Sequence, residues 1–323
     1  MKKYLVTGGA GFIGSHITER LLSAECGSVS GGKEGNFVRV LDNFSSGKRE
    51  NLEFTRGNKN FEIVEADIRD YNVCFNSTKG IDYVLHQAAL RSVPKSMKDP
   101  YSYNDVNING TLNLLRACKE NRIKRFVFAS SSSVYGDVNV FPEKEDFLPQ
   151  LISPYALSKL AGEYYCQIFK VNYNLETVSL RYFNVFGPRQ SLDDEYAVVI
   201  PKFISAMLAD KQPPIHGDGK QSRDFSYVDN VVDANIFAAT RENIKYNVFN
   251  IANNKDHTIL ELVEVLNKIM DKSIKPIFVP LRPGDVLRTF ADVGRAKECL
   301  GYVPRVDFES GLRLTVDWFK SKQ

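Results

Sequence analysis

The stretch KKYLVTGGAGFIG occupies residues 2–14 and joins a short β-rich apolar run to a run of glycines. Apolar side chains then recur at helical spacing up to Leu22, so a helix begins within the glycine run. The glycines are therefore predicted to lie between a buried parallel strand and a helix. There Gly8 permits a tight turn, Gly11 lets the backbone approach a pyrophosphate, and Gly14 allows close packing of helix on strand. The stretch predicts a dinucleotide-binding loop.

The choice of dinucleotide depends on the second predicted strand. The pyrophosphate would meet the unpaired N–H groups at the helix N-terminus, where Phe12 and Ile13 lie. The strand FVRVL then ends at Asp42, whose carboxylate accepts hydrogen bonds from an adenosine ribose and repels a 2′-phosphate. We therefore predict NAD rather than NADP, bound by Asp42 and its neighbour Asn43. The glycine- and serine-rich residues 26–35 are predicted to form a surface loop inserted before this strand.

The composition is that of an ordinary globular protein and excludes several classes of function. The chain has 323 residues, of which 43% are hydrophobic and 25% charged, with a net charge of +3. Its lysines and arginines are interspersed, so we predict neither a nucleic-acid nor a membrane partner. No stretch approaches the roughly 20 apolar residues that a membrane span needs. The five cysteines are dispersed, which argues against a metal site and for a reducing, cytoplasmic location.

Four further short apolar strands alternate with helices in the first part of the chain. The strands lie at residues 61–65, 83–86, 126–129 and 177–180, and the helices that separate the last three lie around residues 103–121 and 154–173. This alternation predicts an α/β fold, in which residues 1–180 form an NAD-binding domain with a Rossmann-like doubly wound parallel sheet.

After residue 180, prolines break the pattern into shorter elements. This predicts a smaller, mixed C-terminal domain over residues 181–323 that binds the substrate. Within it, residues 225–252 are predicted to return to the first domain as one helix and one strand. The helices are predicted at residues 199–209, 229–239, 259–270 and 294–300, and the strand at 248–251.

A tyrosine and a lysine, Tyr155 and Lys159, are spaced i and i+4 and so share one face of a predicted helix. A free tyrosine titrates near 10, so a phenolate at pH 7 needs about 3 pKa units of help, which the Lys159 ammonium and a cationic nicotinamide would supply. Four serines, residues 130–133, follow the fifth strand at the carboxyl end of the sheet. Each feature alone also fits an amphipathic helix or a polar turn. Their order along the chain favours a site for proton and hydride transfer.

Several motifs carry a resemblance to known proteins. Four resemble the extended short-chain dehydrogenase/reductase superfamily: TGGAGFIG at 7–14, SSSVYG at 131–136, YxxxK at 155–159 and RYFN at 181–184. Three are more specific: HQAA at 86–89, NVFGPR at 184–189 and RDF at 223–225. With these the chain resembles, over nearly its whole length, the UDP-galactose and UDP-N-acetylglucosamine 4-epimerases. The resemblance implies an NAD-dependent enzyme that epimerises UDP-hexoses at C4 through a transient 4-keto sugar.

The resemblance also implies roles for individual residues. Tyr155 is the base, Lys159 holds the nicotinamide ribose, and Ser131 shares the substrate proton. Further contacts to NAD are implied for Asp67, Ile68, Gln87, Ala88, Ala89 and Asn107. Contacts to the UDP-sugar are implied for Ser131, Ser132, Ser133, Tyr155, Asn184, Arg223, Arg282 and Thr289. A homodimer is expected through the two helices around residues 103–121 and 154–173, and His86 is expected to have a structural role.

The identity of the sugar rests on a few side chains. Because Ser132, Ser133 and Thr289 are small, we expect activity on UDP-N-acetylglucosamine and UDP-N-acetylgalactosamine, with weaker activity on UDP-glucose and UDP-galactose. Three alternatives stay open. A 4,6-dehydratase needs acidic residues in place of Ser132 and Ser133. A UDP-uronic acid epimerase or decarboxylase needs a cation, for which Arg91 is available, and a protein that only senses nucleotides would have lost the Tyr155 and Lys159 pair.

Overall fold

A computed structural model describes residues 1–23, 35–192, 199–281 and 286–322. Arg282 and residues 26–34 of the predicted surface loop lie outside these ranges. In the first part of the chain the elements are β1 Lys3–Thr7, α1 Phe12–Leu22, β2 Phe37–Asp42, β3 Phe61–Glu65, α2 Tyr71–Thr78, β4 Tyr83–His86, α3 Val93–Lys98, α4 Pro100–Tyr103, α5 Gly110–Glu120, β5 Arg125–Ser131, α6 Pro154–Tyr173 and β6 Thr177–Tyr182.

The remaining elements are shorter on average. They are β7 Val185–Phe186, α7 Val199–Leu208, β8 Pro214–His216, β9 Ser222–Asp224, β10 Ser226–Tyr227, α8 Val228–Thr240, β11 Val248–Ile251, β12 Asp256–Thr258, α9 Ile259–Met270, β13 Ile277–Val279, β14 Arg288–Thr289, α10 Gly294–Leu300 and α11 Phe308–Lys320. Among the described residues, none of the helices has both the length and the apolar character needed to cross a membrane.

Seven parallel strands form the central sheet, in the order β11-β6-β5-β4-β1-β2-β3. The chain runs outward from β1 in both directions, so the sheet has a switch point beside β1, where ligands bind in this architecture. Helices α1 and α8 pack on one face, and α2, α5 and α6 pack on the other. Because both faces are covered, the inner strands are apolar on both sides, as a parallel sheet requires. The predicted doubly wound α/β fold is confirmed.

The segment predicted to return to the main sheet does so. Strand β11 pairs in parallel with β6, and α8 packs beside β5 and β6. The other described strands form small sheets, with the orders β12-β9-β14, β13-β8 and β10-β7. A division into two domains at residue 180 stays a prediction.

The helix predicted around residues 103–121 contains an irregularity that periodicity did not indicate. A π-helical segment, Asn104–Asn109, joins α4 to α5. Such widened turns are rare and frequently occur at functional sites, because they shift one residue out of the regular helical register. Here the segment carries Asn107, which faces the loop after β4.

Candidate active site

The glycine loop between β1 and α1 is as tight as its sequence predicts. Gly8 has a φ of +68°, in the left-handed region, and a Cβ there would lie 2.7 Å from the Ala88 nitrogen. A Cβ on Gly14 would lie 2.1 Å from the Gly8 carbonyl oxygen, which leaves room for glycine alone. Within the residues that the structure describes, no side chain caps α1 at Gly11. The first N–H groups of the helix are therefore available to an anion.

A cavity of about 390 Å³ opens above this loop, at the carboxyl ends of the strands. Its lining includes Gly8, Gly11, Phe12, Ile13, Gly14, Asp42, Asn43, Asp67, Ile68, Gln87, Ala88, Ala89, Tyr155 and Lys159, all of them named as cofactor residues from the sequence. Asn107 is the exception among those residues. Its side chain is buried behind the wall, where its Nδ2 donates to the Leu90 carbonyl oxygen at 2.9 Å and its Oδ1 accepts the Leu90 N–H at 2.8 Å.

Two carboxylates lie at the end of the cavity nearest β2 and β3. Asp42 is buried, and its oxygens accept the N–H groups of Ala10 and Phe44 at 2.9 and 2.8 Å. Burial raises the pKa of Asp42, and these hydrogen bonds oppose that rise. Asp67 differs, because hydrogen bonds from Arg69 lower its pKa to about 2. The Asn43 amide also donates to Asp67, at 2.8 Å, so Asn43 and Asp67, both predicted to contact NAD, belong to one polar cluster.

Arg189 also lines the cavity and was not singled out from the sequence. Its Nη2 donates to the Glu19 carboxylate at 2.5 Å, and its guanidinium lies 5.2 Å from the centre of the Phe54 ring. Its Nη1 is buried and has no hydrogen-bond partner within the described residues. A buried charged donor without an acceptor is costly, so an anion in the cavity would satisfy it. The signal was present in the motif NVFGPR, which ends at this arginine.

Tyr155 and Lys159 project from the first turns of α6, with Lys159 buried beneath the cavity floor. Lys159 Nζ donates to the Ala129 carbonyl oxygen at 2.8 Å and lies 5.9 Å from the centre of the Tyr155 ring. Burial lowers the pKa of Lys159 to about 7. Burial also raises the pKa of Tyr155, although a hydrogen bond with Ser131 opposes that rise. Burial is thus the largest influence on the pKa of Tyr155, and the charge that opposes it is that of Arg91 rather than that of Lys159.

The serines after β5 divide into two roles. Ser131 Oγ donates to Ser133 Oγ and accepts the Ser133 N–H, both at 3.1 Å, so this hydroxyl stays at the sheet end beside Tyr155. Ser130 instead donates to the buried Glu163 carboxylate at 2.5 Å. Glu163 also forms a buried ion pair with Arg181, with 2.8 Å between Oε2 and Nη2. This network joins β5, α6 and β6 directly behind the serine assigned to catalysis.

His86 occupies the end of β4 and belongs to the interior. Its ring nitrogens lie 2.6 Å from Thr7 Oγ1 and 2.9 Å from Thr111 Oγ1, and burial lowers its pKa to about 3. A neutral imidazole between two hydroxyls links β1, β4 and α5. This agrees with the structural role expected for His86.

Three of the residues predicted to bind substrate lie together in the second part of the chain. Asn184 Nδ2 donates to Thr289 Oγ1 at 2.8 Å and to the Asp224 carbonyl oxygen at 3.4 Å. Thr289 in turn pairs with Arg223 across β14 and β9. The Arg223 side chain is buried, and its Nη1 donates to the Ser222 carbonyl oxygen at 2.8 Å. Ser132 and Ser133 belong to the 3-10 helix Ser132–Val134 at the end of β5.

Comparison with known proteins gives the family. The sequence profile of the NAD-dependent epimerase/dehydratase family matches residues 4–252. The chain belongs to this family. It is 36% identical over 320 residues to a UDP-glucose 4-epimerase of Mycolicibacterium smegmatis, and the match covers 98% of each chain.

Two solved structures of relatives resemble this protein over nearly the whole chain. One is a UDP-N-acetylglucosamine 4-epimerase from Methanobrevibacter ruminantium in complex with UDP-N-acetylmuramic acid, with 43% identity, a TM-score of 0.92, and coverage of 100% of this chain and 99% of that one. The other is a UDP-glucuronic acid 4-epimerase from Bacillus cereus with UDP-glucuronic acid and NAD, with 35% identity, a TM-score of 0.88, and coverage of 99% and 100%.

NAD is the cofactor of the family, and the cavity of this epimerase/dehydratase fits it. The close approach of Gly14 to Gly8 leaves the backbone open to a pyrophosphate. The buried Nη1 of Arg189, which has no acceptor in the part of the chain that the structure describes, offers a donor to an anion. Asp42 and Lys159, the residues predicted to hold the two riboses, both line this cavity.

Proposed function

We propose that this protein epimerises UDP-hexoses at C4 and retains NAD through each turnover. The observation that carries the proposal is the grouping of Tyr155, Ser131 and Lys159 at the carboxyl end of the sheet, beside a cavity suited to NAD. When bound, NAD would accept a hydride from the sugar and return it. Because the reaction is redox-neutral, no second nucleotide substrate is needed.

The residues of the chain would handle the proton and orient the sugar. Tyr155 would take the proton of the 4-hydroxyl group and later give it back, while Ser131 shares that proton through its hydrogen bond to the phenol. Lys159 is fixed by the Ala129 carbonyl oxygen on one side, which leaves its remaining N–H groups for the nicotinamide ribose. In this mechanism the protein orients the sugar and transfers its proton, and the cofactor supplies the redox chemistry.

The diphosphate of the substrate would bind in the second part of the chain. Arg223 and Arg282 are assigned to it, because two guanidinium groups suit a pyrophosphate, and Asn184 is assigned beside them. Asn184 is held by Thr289 and by the Asp224 carbonyl oxygen, which supports a fixed position for its amide.

For the sugar, we favour UDP-N-acetylglucosamine and UDP-N-acetylgalactosamine, with weaker activity on UDP-glucose and UDP-galactose. The small side chain of Thr289 and the small serines 132 and 133 support this choice, as does the name of the Methanobrevibacter ruminantium relative. A second candidate is a UDP-uronic acid 4-epimerase. Arg91 lines the cavity beside Tyr155 and could pair with a carboxylate, and the Bacillus cereus relative is named as such an enzyme.

A homodimer is part of the proposal. Four apolar side chains of α6, Leu157, Tyr164, Ile168 and Val171, are 53%, 55%, 45% and 74% exposed. Their spacing of seven, four and three residues places them along one helical stripe. We call these four side chains the α6 stripe. Packing of the α6 stripe against a second copy of the chain would remove its apolar surface from water.

The experiment that tests the proposed activity is turnover without added cofactor. The purified protein is incubated with each of five UDP-sugars, the glucose, galactose, N-acetylglucosamine, N-acetylgalactosamine and glucuronic acid forms, and the products are identified by NMR. We expect interconversion of each C4 pair that is used, with no release of NADH. Tyr155→Phe is the matched control and should lose about 10²–10⁴-fold in rate while it still binds UDP. A requirement for stoichiometric external NAD, or a 4-keto-6-deoxy product, would contradict the proposal.

A further inference from the structure

Arg91 lies in the loop that follows β4 and lines the cavity together with Tyr155. Its side chain is exposed, and within the described residues it forms no hydrogen bond or ion pair. An exposed arginine is usually free to move, and its position then has little meaning. Here the backbone on both sides of Arg91 is fixed.

Each neighbour of Arg91 is held at both of its backbone polar groups by a single side chain. Leu90 donates its N–H to Asn107 Oδ1 at 2.8 Å and accepts Asn107 Nδ2 at its carbonyl oxygen at 2.9 Å. Ser92 donates its N–H to the Tyr103 hydroxyl at 3.0 Å, and that hydroxyl donates to the Ser92 carbonyl oxygen at 2.7 Å. We call this arrangement the two-sided clamp. It fixes the direction in which the Arg91 side chain leaves the backbone.

The side chains of the clamp also contact the helix that carries Tyr155. Asn107 Nδ2 donates to Ser158 Oγ at 2.9 Å, and Ser158 Oγ donates to the Tyr155 carbonyl oxygen at 2.8 Å. The Tyr103 ring meets the Tyr155 ring edge-on, with 6.3 Å between their centres and 87° between their planes. The loop of Arg91 and the first turn of α6 are therefore positioned by the same two residues.

The groups that face the Tyr155 phenol come from four parts of the fold. They are Ser131 at the end of β5, Tyr103 on α4, Lys159 on α6 and Arg91 after β4. Lys159 donates to a main-chain oxygen of β5. Burial raises the pKa of Tyr155, the Ser131 hydrogen bond and the Arg91 charge lower it, and Tyr103 raises it further. Arg91 is thus a cation that lines the same cavity as Tyr155 and opposes the rise in its pKa.

We propose that Arg91 is a positioning residue for the epimerisation: from the two-sided clamp, its guanidinium stabilises the phenolate form of Tyr155. This role rests on the proposed function, because it matters only if Tyr155 accepts a proton from the sugar. The electrostatic effect itself is a property of the Tyr155 side chain and can be measured without substrate.

The test compares Arg91→Gln with Arg91→Lys in the NAD-loaded protein. Arg56→Gln is the charge-matched control, because Arg56 is exposed and does not line the cavity. The titration of Tyr155 is read from tyrosinate absorbance, as the difference between each protein and the same protein with Tyr155→Phe. The pH profile of kcat/KM is measured in parallel on the best UDP-hexose.

We expect Arg91→Gln to move the Tyr155 titration and the acid limb of kcat/KM to higher pH by about 0.5–1 unit, a modest shift because the guanidinium is exposed. On the acid limb, a shift of this size lowers kcat/KM at a given pH by roughly 3- to 10-fold, with KM nearly unchanged. Arg91→Lys should restore most of the shift, and Arg56→Gln should cause none. Because salt screens the Arg91 charge, about 0.5 M salt should move the acid limb of the wild-type kcat/KM profile toward that of Arg91→Gln. It should leave the acid limb of the Arg91→Gln variant unchanged.

A Tyr155 titration that does not move in Arg91→Gln would overturn the proposal. If KM for UDP-glucuronic acid alone then rises in the same variant, Arg91 is instead a ligand for an anionic sugar. If no UDP-hexose is epimerised, the proposed function fails, yet the absorbance titration still decides whether Arg91 acts on Tyr155.

Discussion

At the scale of single residues, burial moves the pKa values of Tyr155 and Lys159 in the directions that favour their neutral forms. Burial raises the pKa of Tyr155 and lowers that of Lys159 to about 7. The reason is the same for both, since removal from water disfavours whichever form carries charge. The phenolate and the ammonium that the proposed chemistry needs must therefore be stabilised by other charges in the cavity. This gives the pair a measurable effect on stability.

Lys159→Met should stabilise the cofactor-free protein more at about pH 6 than at about pH 9. The folded pKa of about 7 lies below the unfolded value near 10.4, so the folded protein binds fewer protons between these values and stability rises with pH there. The destabilisation by Lys159 is complete below pH 7 and is relieved as the pH rises. Denaturant unfolding should show a gain that shrinks by about 2–3 kcal/mol across this interval. An equal gain at both pH values would mean that Lys159 does not titrate in this range.

Thr289 is expected to limit the size of the sugar. Thr289→Tyr should lower kcat/KM for the two acetylated UDP-sugars by about 10-fold or more relative to UDP-glucose and UDP-galactose, because a larger ring would fill the space for the acetamido group. The threonine hydroxyl also accepts the Asn184 amide. Thr289→Val separates the two effects, since it keeps the size and removes the acceptor. It should lower kcat/KM for all four UDP-sugars alike, by roughly 5-fold. A uniform loss in both variants would exclude a role in size selection.

At the scale of elements, the packing of α6 on β5 places the catalytic side chains over the sheet end. Gly162 is a helix-interior glycine, which normally costs stability, yet a Cβ there would lie 2.3 Å from the Phe128 ring. The glycine lets the helix approach the strand closely. The same ring lies 5.1 Å from Lys159 Nζ, so this contact is close to the site as well as to the core.

Gly162→Ala should destabilise the protein by about 1–3 kcal/mol, because the added methyl overpacks the contact with Phe128. Activity should fall with it, since α6 also carries Tyr155. The control is Gly162→Ala combined with Phe128→Leu, which removes the clashing ring edge. In denaturant unfolding, the loss of unfolding free energy in the double variant should be smaller than the sum of the losses in Gly162→Ala alone and Phe128→Leu alone. Simple additivity would show that the two side chains do not share this contact.

At the scale of the whole molecule, the second part of the chain completes the cavity formed by the first. Arg189 reaches Glu19 across 170 residues of sequence, and Arg20 pairs with Asp233 on α8 at 2.7 Å. These contacts tie α1, which follows the glycine loop, to the later segments. Retention of the cofactor is therefore expected to depend on both parts of the chain.

The α6 stripe is expected to lie at the dimer interface. Ile168→Glu with Val171→Glu should convert the protein to a monomer, because two charges would have to be buried against the second copy. Leu314→Glu is the matched control, since Leu314 on α11 is also exposed, at 48%, and lies outside the stripe. Sedimentation velocity should show a monomer for the first variant and the wild-type mass for the control. A monomeric wild type, or a dimer in both variants, would contradict this interface.

The sequence predicted the confirmed fold, and all but one of the cofactor residues predicted from it line the cavity, while residues from the second part of the chain were harder to place. The spacing of the glycines, the apolar runs that form strands and the interval between Tyr155 and Lys159 are local patterns. Such patterns can be read directly from neighbouring residues in the sequence. Asn107 was predicted to contact the cofactor, but its amide is used to fix Leu90. That outcome depends on the π-helical turn, which no periodicity indicates.

The sequence by itself determined the doubly wound α/β sheet, the glycine loop and the positions of Tyr155 and Lys159, because each of these follows from residues close together in the chain. Only the tertiary structure decided three features of the site. It paired Asn184 with Thr289 across 105 residues, left the buried Nη1 of Arg189 without a partner among the described residues, and set Arg91 in a clamp beside Tyr155. These features depend on burial and on contacts between distant segments. Such contacts form only when the packed core brings those segments together.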